Sequence, residues 1–143
     1  MGMFDALHTS GSALDVERRR LEVISENIAN INSPRSADGF LYQARRVVTT
    51  PIQGSFGSYL RGFREFPDRG VAIDGIYEVE SQPRRVYDPG HPVADENGFV
   101  DYPDINILDE MVASTIASRS YQANLTTFNE AKKMFLRALD IGK

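Results

Sequence analysis

A chain of 143 residues with 25% charged and 41% hydrophobic residues has the make-up of one ordinary folded domain. A net charge of -4 and a pI of about 5.2 exclude a strong pull toward nucleic acid or acidic lipid. The absence of cysteine removes disulfides, thiolate metal sites and thiol catalysis together.

The N-terminal segment reads as a long amphipathic helix. Leu14, Leu21, Ile24, Ile28 and Ile31 mark its apolar side. From Leu21 the steps are three, four and three, which is the spacing of a coiled-coil seam. Leu7, Leu14, Leu21 and Ile28 also recur every seven residues. Arg18-Arg19-Arg20 sits among Asp15, Glu17 and Glu22, so it reads as a salt-bridged solvent face rather than a nucleic-acid patch. Thr9-Ser10-Gly11-Ser12 is weak helix sequence, which predicts fraying or a hinge until a partner holds it. Asn32-Ser33-Pro34 ends the helix, because the residue before Pro is pushed out of the α region. Asn32 reads as a C-cap. Asn27 and Asn30 are expected to hydrogen-bond between helices, since a polar residue on a seam fixes register at some cost in stability.

The middle has another texture. Residues 33–103 hold all seven Pro and most of the Gly. β-prone stretches lie at 40–50, 71–79, 85–87 and 98–102. Asn97-Gly98 is a hairpin-turn signal, and Pro89-Gly90 and Asp74-Gly75 are further turns. Residues 51–70 read as a long irregular loop.

The last element runs from 104 to 141 without Pro or Gly and would reach roughly 55 Å. Asp109, Glu110, Arg119, Glu130, Lys132, Lys133 and Arg137 along it exclude a membrane span. Asp104 is the expected N-cap, with acids early and Lys132, Lys133, Arg137 and Lys143 late, a bias that suits the helix dipole. Its seam is traced through Met111, Ser114, Ser118, Tyr121, Leu125, Phe128, Lys132, Phe135 and Leu139. Such a long, thinly striped helix needs a partner: the chain's own first helix, or other copies of the chain.

The predicted fold class is therefore α+β. Residues 1–33 and 104–143 are two long helices that pair as an α-helical coiled coil. A small β-rich region at 34–103 lies between them.

No reaction chemistry emerges. His8 and His91 stand in unlike contexts, without cysteine to complete a metal site, and read as solvated. Asp95-Glu96-Asn97-Gly98 fails the calcium-loop spacing, which would put Gly at Val100, and reads as a plain turn. No phosphate loop, nucleophile elbow or zinc motif is present. No cofactor, metal or catalytic residue is expected, and the chain is not expected to be an enzyme. Met1-Gly2-Met3-Phe4-Asp5-Ala6 fits neither a secretory signal nor an acylation motif. By these rules the protein is cytosolic or leaves by a route that does not cleave its N-terminus.

Several blocks carry a resemblance. Asn27-Ile28-Ala29-Asn30-Ile31-Asn32-Ser33 resembles the Asn-rich signature near the N-terminus of bacterial flagellar axial proteins. Asp38-Gly39-Phe40-Leu41-Tyr42-Gln43-Ala44-Arg45 is similar to the stretch that follows their first helix. Tyr87-Asp88-Pro89-Gly90-His91-Pro92 with Asn97-Gly98, then Pro103-Asp104-Ile105-Asn106, then Ser118-Arg119-Ser120-Tyr121-Gln122-Ala123-Asn124, resemble proximal-rod members of the flagellar axial rod and hook protein family. The blocks fall in order along nearly the whole chain. Ile31 and Asp104 depart from the usual residues, and 51–70 matches no block.

The resemblance implies a structural rod subunit, exported unfolded by the flagellar type III apparatus without a cleaved signal and assembled within the periplasm. Other copies of itself and other rod proteins would be its partners, without nucleic acid and without direct membrane insertion. The candidate assembly residues are Leu14, Leu21, Ile24, Asn27, Ile28 and Asn30 on the first helix. On the last they are Met111, Tyr121, Gln122, Asn124, Leu125, Phe128, Phe135 and Leu139. Isolated subunits are expected to have disordered ends, because the helices lack their partners. The rival reading is a cytosolic coiled-coil adaptor or export-chaperone-like protein, which would not need the β-rich middle.

Overall fold

The computed structural model describes residues 3–35, 39–52 and 70–141. The elements in order are α1 (Met3–Asn30), β1 (Arg45–Pro51), β2 (Val71–Glu78), β3 (Arg84–Tyr87), β4 (Phe99–Tyr102) and α2 (Ile107–Ile141). This is the α+β arrangement expected, two long terminal helices packed together with short antiparallel strands between them. Apart from its ends, the irregular loop expected at 51–70 lies outside the described residues. Among the described residues no helix is long and apolar enough to cross a membrane.

α1 carries the ion-pair ladder read from the sequence. Arg18 meets Asp15 and Glu22 at 3.6 and 3.4 Å, Arg19 meets Glu22 at 2.7 Å, and Arg20 meets Glu17 at 3.0 Å. The guanidinium of Arg19 holds the Glu22 carboxyl below its usual range. Arg20–Glu17 is partly buried, and the other pairs are exposed and screened by solvent, so they favour the helix but do not decide it. The weak stretch at 9–12 is helical in the structure, and a tertiary contact explains it. Ser10 is buried, and the Ser12 hydroxyl accepts the Val71 N–H at 3.2 Å while donating to the Thr9 carbonyl. Gly70, at φ +152, leaves room for that contact, since a Cβ there would lie 2.6 Å from Ser12 Oγ.

α1 closes at Asn30, two residues before the expected C-cap. The Asn30 amide donates to its own helix at the Glu26 carbonyl, and its side-chain oxygen accepts the Ser33 hydroxyl. The Ser33 N–H bonds the Asn30 carbonyl at 3.0 Å. Asn30 is thus the cap, and not the bridge between helices that the sequence suggested. Asn32 is exposed.

α2 likewise starts later than expected. Asn106, not Asp104, is the N-cap: its side-chain oxygen accepts the Leu108 N–H at 3.0 Å, satisfying one orphan donor of the first turn. Asp109 and Glu110 lie in that turn, as the dipole favours. The far end does not follow the expected bias. No basic residue occupies the last turn, where Asp140 stands instead, and Lys143 lies outside the described residues. Thr115, Thr126 and Thr127 return their hydroxyls to carbonyls four residues back, which keeps the polar middle of the helix internally bonded.

β1 and β2 pair antiparallel from Arg45↔Glu78 to Pro51↔Val71, with a bulge at Val48/Thr49. This hairpin packs on α1. β3 and β4 pair separately, Arg84↔Tyr102 to Tyr87↔Phe99. Arg35 ties the segment after α1 to this second hairpin through the Asp101 carbonyl and carboxylate. The two hairpins do not join into one sheet. The core is thin: Val16, Val23 and Ile24 from α1, Ala117 and Ala131 from α2, with Ala44 and Val100 from the middle.

Asn97-Gly98 does not make the two-residue hairpin turn expected, because β3 and β4 are joined by the longer stretch 88–98. Asp95 to Gly98 is a four-residue turn closed by the Gly98 N–H on the Asp95 carbonyl at 2.9 Å. Asp at its first and Gly at its last position suit that geometry, and Gly98 adopts φ +78. Asp95 Oδ1 accepts the N–H groups of Asn97 and Phe99 at 2.8 and 2.9 Å. The Phe99 bond chiefly holds the Asp95 carboxyl below its usual range. A lowered folded-state pKa gives stability that is complete above the unfolded-state value and lost as pH falls through the folded one. Acidification from about pH 5 to about pH 2 is therefore expected to loosen this hairpin, seen as a falling protection factor of the Phe99 amide, its exchange rate compared with that of an unstructured amide at the same pH. Asp95→Ala should flatten that pH dependence; an unchanged profile would refute the role given to Asp95.

Candidate assembly interface

One buried amide joins three elements. Asn27, on α1, is 0% exposed. Its amide nitrogen donates to the Arg45 carbonyl at 3.0 Å and to Glu110 Oε2 on α2 at 3.3 Å. Its oxygen accepts the Tyr42 hydroxyl and the Arg45 N–H, both at 2.9 Å. Two donors and two acceptor positions are all used, the full capacity of an asparagine. Asn27 thus makes the bond between helices expected of it. Glu110 is 1% exposed and also receives Arg46 at 2.9 Å, so a carboxylate taken out of water is matched by a guanidinium and an amide. Burial raises the Tyr42 phenol above its usual value, against the opposing pull of Arg45, whose guanidinium lies 5.5 Å from the ring centre.

From this junction the helices pack along small side chains. Glu110, Ala113, Ala117, Tyr121, Asn124, Phe128, Ala131 and Phe135 are covered positions of α2 at steps of three and four, and Ser114, Ser118 and Ser120 are half-buried beside them. Val16, Arg20, Val23 and Asn27 follow the same spacing on α1, with Ile24 beside them. Tyr121, Asn124, Phe128 and Phe135 from the sequence-derived set lie on this seam, half-buried. Ile24 and Asn27 are fully inside the chain. Leu14, Leu21, Ile28 and Asn30 are half-buried, so the heptad of leucines on α1 is not the innermost line. Val16, Val23, Ala113, Ala117 and Ala131 were missed. Their signal was the close approach that small residues permit, which a search for large apolar periodicity does not weigh.

Met111, Gln122, Leu125 and Leu139 lie outside the seam and are exposed. They have company. Among the described residues nine large apolar side chains of α2 are exposed: Ile107, Leu108, Met111, Val112, Ile116, Leu125, Met134, Leu136 and Leu139. None of the described side chains of α1 is in that class. At about 100° per residue they fall mainly into two flanks beside the seam. Ile107, Met111, Leu125, Leu136 and Leu139 border one side; Val112, Ile116 and Met134 border the other. Past Ala131 only Phe135 remains even half-covered up to Asp140. Along each flank these side chains stand in separate groups, near the start and near the end of α2. No group of three or more potential metal ligands occurs among the described residues.

Comparison with known proteins gives concordant matches. Residues 7–35 match the family model described as flagella basal body rod protein, and residues 96–141 match that of the flagellar basal body rod FlgEFG protein C-terminal region. The chain is 35% identical over 147 residues to the flagellar basal-body rod protein FlgC of Salmonella typhimurium, covering 100% of both chains. It is 36% identical over 150 residues to FlgC of Bacillus subtilis, again 100% of both. With FlgC of Borreliella burgdorferi it shares 35% identity over 151 residues, 99% of this chain and 98% of that one.

The junction can be tested by isosteric replacement. Asn27→Asp keeps the shape but turns the donor toward Glu110 and the Arg45 carbonyl into an acceptor. It is expected to destabilise the monomer by about 2–4 kcal/mol at neutral pH in denaturant unfolding, with Asn30→Ala costing about 1 kcal/mol or less. Equal effects of the two would refute the assignment of Asn27 as the junction.

Proposed function

The chain belongs to the FlgC family of flagellar basal-body rod proteins and is a structural subunit of the rod, and from that premise we propose that it polymerises through its terminal helices into the proximal part of a helical, torque-transmitting shaft. The exposed flanks of α2 carry this reading. Two unlike flanks on one helix give contacts between different surfaces, and such contacts propagate as a helix when the rotation does not close. The half-buried Leu14, Leu21, Ile28, Tyr121, Asn124, Phe128 and Phe135, with the exposed Met111, Gln122, Leu125 and Leu139, supply the contact surface. Ile24 and Asn27 shape it from within, and Asn30 fixes where α1 ends.

In this reading residues 1–33 and 104–143 form the axial core unit, and the β-rich region at 34–103 stands outside it. The partners are other copies and other rod proteins. The route is the flagellar type III export apparatus, without signal cleavage, to the rod within the periplasm. The subunit works by geometry and carries out no catalysis. The adaptor reading loses ground because the FlgC relatives align across the whole chain, middle included.

Basal bodies purified from the source cells are expected to contain this chain in amounts comparable with other rod proteins, by quantitative mass spectrometry. Complete basal bodies lacking it would overturn the reading. Leu125→Asp is expected to leave export intact and abolish motility, because burying an unpaired carboxylate opposes association by several kcal/mol. Normal swimming would remove that flank from the interface.

A further inference from the structure

A cavity of about 240 Å³ lies between α1, β1 and α2. Val23, Ile24, Val47, Ala113 and Ala117 form apolar walls, and Ile116, 60% exposed, stands at its mouth on the second flank of α2. Three arginines also border it, and each is already matched: Arg20 to Glu17, Arg45 to Glu26 and Glu78, Arg46 to Glu110. Glu17 is not fully matched. It is 8% exposed, its Oε1 receives Arg20 at 3.0 Å, and its Oε2 is buried with no hydrogen-bond partner among the described residues. Glu17 is the one carboxylate among the residues that line the cavity, and its unmatched oxygen calls for a donor.

The chain itself displays a group of that description. Lys132 makes no ion pair among the described residues, whereas its neighbour Lys133 is taken by Glu130 at 2.8 Å. Lys132 projects from the exposed stripe of Leu125, Leu136 and Leu139, at steps of seven, four and three. A lysine stem packs on apolar walls while its ammonium reaches a carboxylate. We propose that the Leu125–Lys132–Leu136–Leu139 stripe of one copy docks over the α1–β1–α2 cavity of a second copy, the Glu17 side chain turning to present its unmatched oxygen to the Lys132 ammonium. The proposal rests on the rod-subunit reading and names one contact within it. Stripe and cavity are different surfaces, so the contact is heterologous.

Because the chain has no cysteine, two introduced thiols report only on themselves. The full chain carrying Ile116→Cys and Leu136→Cys is expressed in place of the native chain, and basal bodies are isolated and oxidised. Disulfide-linked copies are expected, and neither single variant should give them. Basal bodies containing the doubly substituted chain without linked copies would overturn this contact and leave the rod reading standing. Absence of even the native chain from basal bodies would overturn both. Charge exchange gives an independent readout should the double-cysteine chain fail to assemble. Lys132→Glu is expected to lower incorporation about tenfold and Glu17→Lys with Lys132→Glu to restore most of it. A Lys132→Glu chain that incorporates normally, or a folded double variant (helical by circular dichroism) that is not restored, would equally sink the proposal.

Discussion

The amide of Asn27 is the interaction on which the arrangement of this chain depends. Among the described residues it is the one side chain bonded at once to the segment before β1, to β1 itself and to α2. A fully buried amide is tolerated only when every lone pair and proton is matched, and here they are. The geometry that matches them is narrow. Sliding α2 by one residue along α1 removes Glu110 from reach, and shifting β1 by one residue exchanges the Arg45 groups for those of a neighbour. Each lost bond to a buried partner costs about 1–3 kcal/mol, a large fraction of the roughly 5–15 kcal/mol by which a domain is stable. The junction therefore selects one register among several that the apolar seam alone would permit. Glu110 adds to the selectivity. Buried without its partners it would be expensive, so states that separate it from Arg46 and Asn27 are penalised more than the native pairing is rewarded.

Much of this was legible in the residues. The absence of Pro and Gly over 104–141 predicted one uninterrupted helix, and the β-prone stretches at 71–79, 85–87 and 98–102 fall within a residue of β2, β3 and β4. Asn27 was legible as a bond between helices because asparagine is a poor helix residue with no other reason to stand there. Asn30 looked the same in sequence and serves its own helix instead, and only the position of Ser33 and the Glu26 carbonyl separates the two cases. The start of α2 differs from its expected place for a similar reason. Asp104 and Asn106 are both good caps, and the chain uses the one that reaches the second N–H of the helix.

The seam was misplaced in a more instructive way. A hydrophobic periodicity weighs leucine and methionine above alanine, so it found Met111, Leu125 and Leu139. The covered line runs through Tyr121, Phe128 and Phe135, which that periodicity also found, and through Glu110, Ala113, Ala117 and Ala131, which it did not. Small residues let two backbones approach, and the aromatic rings of Tyr121, Phe128 and Phe135 fill the seam between them while the remaining large side chains stand on either flank. Two sets of positions with similar spacing are therefore superposed in the sequence, one covered and one exposed. The pattern of large residues drew on both: Tyr121, Phe128 and Phe135 from the inner set, Met111, Leu125 and Leu139 from the outer.

That division has an energetic consequence for a subunit of this family. Burying a leucine- or methionine-sized side chain contributes about 1.5–3 kcal/mol, and one flank of α2 offers only three to five of them. A single flank covered by a single neighbour therefore gains on the order of 5–15 kcal/mol at best, which is comparable with the 4–15 kcal/mol lost on association. One contact is marginal. A copy that enters a growing tube and covers both flanks adds the second gain for little further loss of freedom, since it is already immobilised. Subunits built this way stay separate in dilute solution and hold firmly once several neighbours are present. The thin core follows from the same division, because apolar side chains committed to the flanks of α2 are not available to thicken the interior of the monomer.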